Sequence, residues 1–106
     1  MPYDRSKGKL HEADHSHRHE KDFRVTARRN KLLGLWAAGL MNLQGAEAQS
    51  YAREVVSADL EEPGDEDVIR KLMGDFARAS VTVSRDQLHK KMDELTAEAR
   101  HQLAHH

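Results

Sequence analysis

The chain reads as all-α, an antiparallel four-helix bundle with a polar, histidine-rich N-terminal arm. Three observations predict this. Apolar residues recur at helical spacing in four separate stretches, short connections join those stretches, and period-two alternation is confined to Val81 and Val83. With 106 residues, of which 38% are hydrophobic and 33% charged, one modest core forms only if each helix concentrates its apolar residues on one face.

Residues 1–22 hold five basic, five acidic and four histidine side chains, with only Tyr3 and Leu10 as large apolar residues after Met1. Such a segment supplies no core. It either extends a helix into solvent through acid-first pairs such as Asp14 with Arg18, or is disordered. The expected division is therefore an arm, 1–22, and a bundle domain, 23–106.

The first bundle helix begins at Phe23, and between Leu32 and Met41 its apolar residues point nearly all round the axis, which suits a central helix. Gly34 and Gly39 inside it predict close helix approach, and Trp36 is expected in the core. Asn42 and Gly45 predict left-handed turn residues that end the helix near Met41 to Leu43. A second helix runs from about Ala46 to Leu60 on Tyr51, Ala52 and Val55, until Pro63-Gly64 forces a turn. Asp65 is the expected N-cap of the third helix, with Ile69, Leu72, Met73 and Phe76 as its apolar stripe and its end near Ala79. Ser84 and Gln87 match a capping box, from which Leu88, Met92, Leu95, Ala99 and Leu103 run without a miss along a fourth helix.

Composition narrows the function. The 17 Lys plus Arg against 18 Asp plus Glu disfavour nucleic acid as a partner, and the lack of cysteine excludes a disulfide framework, a thiolate zinc site and a cysteine nucleophile. No apolar run has the length of a secretion signal or of a membrane span, so a cytoplasmic protein without direct membrane insertion is expected.

His11, His15 and His19 fall at i, i+4 and i+8, a spacing that can chelate zinc, nickel or copper. Nothing apolar surrounds them to fix a second shell, so they are weak metal candidates within a solvated arm. Arg24, Arg28, Arg29 and Lys31 form the densest basic cluster, able to hold a phosphate, a nucleotide or an acidic partner. Intramolecular pairing with acids of the other helices is the plainer expectation, and no glycine-rich loop precedes the cluster. No cofactor is expected. Neither a nucleophile with a base nor a carboxylate pocket is visible, so the chain is not expected to be an enzyme. A free-standing metal-binding or nucleotide-binding helical protein remains the alternative.

The string FRVTARRNKLLGLWAA from Phe23 to Ala38 resembles the zeta subunit family of the F-type ATP synthase of alphaproteobacteria. The likeness continues through SYAREVV and GDEDVIRKL and, more loosely, through Lys91, Met92 and Leu95. The resemblance implies a four-helix regulatory subunit that associates with the catalytic head and restrains ATP hydrolysis. It implies a place in the cytoplasm, peripheral to the inner membrane through the ATP synthase. Inhibition in that family is attributed to the N-terminal segment wedging into a catalytic interface. On that footing His11, His15, His19, Phe23, Arg24, Arg28, Arg29 and Lys31 are the candidate partner-binding residues. The family's arm carries phenylalanines where this sequence reads KLHEADHSHRHEKD, with His11 and His15 near the aromatic positions. Inhibition by the arm is therefore expected to be weak here.

Overall fold

The computed structural model describes the backbone of residues 5–59 and 65–104, and the side chains of residues 23–59 and 65–104. Four helices account for nearly all of it: α1 (Arg5–Leu40), α2 (Ala46–Asp59), α3 (Glu66–Arg78) and α4 (Arg85–Ala104). The proposed arm, 1–22, lies outside the residues whose side chains are described.

Cross-helix contacts give the directions. Gly34 meets Ala52, and Asn30 acts on Asp59, so α2 descends as α1 ascends. Tyr51 bonds Asp75 and Glu54 bonds Lys71, which makes α2 and α3 antiparallel. Arg28 reaches Gln102 while Lys91 lies over the Trp36 ring, so α4 also runs against α1. The core they enclose is built from Leu33, Ala37, Val55, Val68, Ile69, Leu72, Phe76, Leu88 and Met92. Trp36 and Leu95, expected in the core, pack against its margin and stay half-buried. Trp36 sets its ring edge-on to Phe76, with centroids 5.9 Å apart and planes at 89°.

Helix ends follow local chemistry. Asn42 adopts φ 65°, and the N–H groups of Asn42 and Leu43 donate to Gly39 and Ala38, a Schellman motif that satisfies the last carbonyls of α1. Gly45 is left-handed too, as its residue type suggests. α3 ends the same way, with Ser80 at φ 60° and with Ser80 and Val81 donating to Ala77 and Phe76. Nothing in a serine announces that conformation. Ser84 and Gln87 form the reciprocal capping box, with the Gln87 N–H donating to Ser84 Oγ at 3.0 Å and the Ser84 N–H to Gln87 Oε1 at 2.8 Å. Asp65 stands at the N-cap of α3, but its side chain makes no capping bond because Arg29 claims the carboxylate.

The two glycines of α1 differ. A Cβ on Gly34 would stand 2.6 Å from Ala52 Cα and 3.3 Å from Val55 Cγ2, so the absence of a side chain lets the two backbones meet. Close packing was expected at Gly39 as well, yet a Cβ there would meet nothing within 4 Å, because Gly39 faces outward in the last turn.

A polar network ties α2 to α3 beside the core. The Tyr51 hydroxyl donates to Asp75 Oδ2 at 2.6 Å, Lys71 Nζ donates to the same oxygen and to Glu54 at 3.0 Å each, and Arg78 bonds the other Asp75 oxygen. Burial and the hydrogen bond to Asp75 push the Tyr51 hydroxyl well above its usual range, so it stays a donor. For Asp75, burial works against ionisation, but the bonds from Tyr51, Lys71 and Arg78 outweigh it and hold the carboxyl below its usual range.

Two outcomes are expected from these features. Gly34→Ala should destabilise by about 1–3 kcal/mol through overpacking, whereas Gly39→Ala should gain up to about 1 kcal/mol of helix propensity. Urea midpoints measure both, and a Gly34→Ala protein of unchanged stability would disprove the close approach. The Asp75 network should also show in the acid limb of stability. Its folded pKa lies below the unfolded value of about 3.9, so its stabilisation is complete above that value and is lost as pH falls toward the folded one. Asp75→Asn should cost about 1–3 kcal/mol at about pH 7 and flatten that acid limb. Parallel loss in both proteins down to about pH 3 would assign the acid sensitivity elsewhere.

Candidate partner-binding surface

Helical geometry sorts the basic cluster of α1 into two directions. Arg24, Arg28 and Lys31 stand at i, i+4 and i+7, share one face and are exposed. Phe23, at the start of the described side chains, is 52% exposed. Arg29 and Asn30 turn inward and are buried, Asn30 completely. The structure thus brings Arg24, Arg28 and Lys31 together and sets Arg29 apart. His11, His15 and His19 lie outside the described side chains.

Arg29 is held by a planar, two-point contact. Its Nη2 meets Asp65 Oδ1 at 2.9 Å, its Nη1 meets Asp65 Oδ2 at 3.4 Å, and its Nε donates to Asn30 Oδ1 at 2.9 Å. Sequence spacing could not show this, because the acid lies 36 positions away. Asp59 belongs to the same corner. Burial raises its carboxyl above the ordinary value and the like charges of Asp65 and Asp67 add to that, while Arg29 and Asn30 oppose it. Asn30 Nδ2 is fully buried and makes no hydrogen bond of ordinary geometry among the described residues. The corner locks α1 to the α2–α3 connection.

Among the described residues Arg28 bonds an amide, Gln102 Oε1 at 3.3 Å, and makes no ion pair. Lys31 lines a shallow groove with Arg53, Gln49 and Val56 between α1 and α2. Cations on the opposite side are neutralised within the fold: Arg70 by Asp67, Lys71 by Glu54 and Asp75, Arg78 by Asp75, and Arg85 by Glu66. A larger open groove between α2 and α3, about 620 Å³, is lined by Glu54, Asp67, Arg70 and Lys71 together with Ser50, Arg53 and Ser57.

Among the described residues, no three His, Asp or Glu side chains come together as a metal would need. The polar groups that do converge, Tyr51 with Asp75 and Arg29 with Asp65, bond each other and act as fasteners. Exposed cations beside an exposed phenylalanine are suited to contact with another protein.

A family model described as ATPase inhibitor subunit zeta matches residues 4–102. A solution NMR structure is similar at 45% identity and a TM-score of 0.69, over 77% of this chain and 93% of its own. No curated protein matches. The match of the family model over nearly the whole chain shows that this protein belongs to the ATPase inhibitor subunit zeta family.

Proposed function

We propose that this chain docks on the catalytic head of the F-type ATP synthase and restrains ATP hydrolysis there, with its N-terminal segment as the inhibitory element. The observation that carries the reading is the extent of the family match, which begins at residue 4 and so takes in the arm as well as the bundle. The mechanism is mechanical. A helix placed between head subunits blocks the closure that hydrolysis requires, and the inhibitor itself makes and breaks no bond.

On this reading Phe23, Arg24, Arg28 and Lys31 face the head at the root of the arm, and Arg29 works indirectly by fixing α1 against Asp65. His11 and His15 stand near the family's aromatic anchor positions, so contact there relies on charge more than on burial. Five basic and five acidic side chains give residues 1–22 a formal charge of zero with neutral histidine, and protonating His11, His15, His17 and His19 raises it to plus four. Unperturbed histidine titrates near pH 6.5, so inhibition by the arm is expected to strengthen in acid and weaken with salt. The place of action is the cytoplasmic side of the inner membrane, peripheral through the ATP synthase. No helix among the described residues is long and apolar enough to cross a membrane.

Hydrolysis by the cognate head, measured with intact protein and with a version starting at Lys21, tests this at about pH 6.2 and about pH 8. The intact protein should inhibit more, chiefly at the lower pH and in low salt. Equal rates for both versions at both pH values would remove the arm from the mechanism.

A further inference from the structure

We propose that the groove between the C-terminal end of α1 and the first turns of α4 is a second docking site on the ATP synthase head, taking a bulky apolar side chain flanked by a carboxylate. The inference rests on the association with the head proposed above.

Leu40 is 41% exposed and is, with Phe23, one of the two large hydrophobic residues left exposed among the described residues. It is not isolated. Leu40, the half-buried Trp36 and Val83 line one groove of about 420 Å³, closed on the α4 side by Gln87, Lys90 and Lys91. That is room for a large apolar side chain, and an aromatic floor with an apolar rim is the usual make-up of an interface anchor site. The indole also packs edge-on against Phe76. Just past Leu40, the left-handed Asn42 ends α1.

Charge selects the occupant. Lys91 lies 5.6 Å over the Trp36 ring and pairs with Glu94 at 3.1 Å, while Lys90 makes no ion pair among the described residues. Two lysines and one glutamate thus line the α4 side of the groove, in a chain whose formal net charge is −1. This local positive excess suits an acidic amphipathic segment of a head subunit, with its apolar side chain on Leu40, Val83 and Trp36 and its carboxylate between Lys90 and Lys91. A basic segment would meet repulsion at the same place.

Trp36 is the sole tryptophan, so biosynthetic fluorotryptophan gives the whole protein a single fluorine resonance at the groove floor. Titrating the labelled protein with purified, unlabelled catalytic head should move that resonance to a new position. Leu40→Asp and Lys90→Glu, both at exposed positions, should each weaken binding to the head by about tenfold or more while leaving the circular dichroism and melting temperature unchanged. Lys90→Glu keeps the test decisive should Leu40→Asp fail to fold. A head that binds with an unmoved resonance and unchanged affinity for both variants would overturn the groove and leave the association intact. No binding by the unmodified protein would overturn the association and the groove with it.

Discussion

Because Gly34 has no side chain, α1 and α2 approach until an added Cβ would sit 2.6 Å from Ala52 Cα, and this contact fixes where the remaining side chains meet. With the two backbones that close, Leu33 and Ala37 on α1 and Val55 on α2 fall into one layer, and α3 and α4 close over it with Ile69, Leu72, Phe76 and Leu88. The polar fasteners lie around this layer. Arg29 with Asp65 holds the corner where α3 begins, and Tyr51 with Asp75 and Lys71 holds the α2–α3 seam. Both exploit burial, since bonds to charged groups are stronger where water is excluded. Asp59 shows the limit, because the same burial raises its carboxyl despite the nearby guanidinium.

What the sequence could disclose depended on whether the deciding partner was local. Ser84 with Gln87, the left-handed Asn42 and Gly45, and the stripes of α3 and α4 involve residues within one or two turns, and all were legible. Asp65 has the composition of an N-cap, but a guanidinium 36 positions away removes it from that duty, which only tertiary contact could reveal. Gly34 and Gly39 look alike in the string and differ entirely in what they face. Ser80 takes a left-handed conformation because Val81 is drawn back to donate to the Phe76 carbonyl, a choice made by packing against residue propensity. Of the candidate surface, the exposed trio Arg24, Arg28 and Lys31 followed from helical spacing. The inward turn of Arg29 and the groove at Leu40 did not, since both depend on where other helices lie.

Polar groups inside and cations outside divide the work. Tyr51 with Asp75 and Arg29 with Asp65 hold the bundle together. Among the described residues, the exposed cations outside any ion pair include Arg24, Arg28, Lys31 and Lys90, and the exposed large hydrophobics are Phe23 and Leu40. Long cationic side chains next to isolated hydrophobic ones recognise a protein surface by complementarity, steering its approach and fixing register more than adding bulk affinity.

A single helix links the two proposed contacts. α1 runs from Arg5 to Leu40 as one element, so the arm root at Phe23 and the groove wall at Leu40 are separated by about 26 Å of helix at 1.5 Å per residue. A flexible tether would let the arm sample a large volume once the bundle had docked, whereas a helix restricts it to one direction. Docking through the bundle then makes engagement of the arm intramolecular, at an effective concentration set by helix orientation instead of by the free protein concentration. Strength of inhibition is on this account governed by two separable terms, the affinity of the bundle and the protonation of the arm.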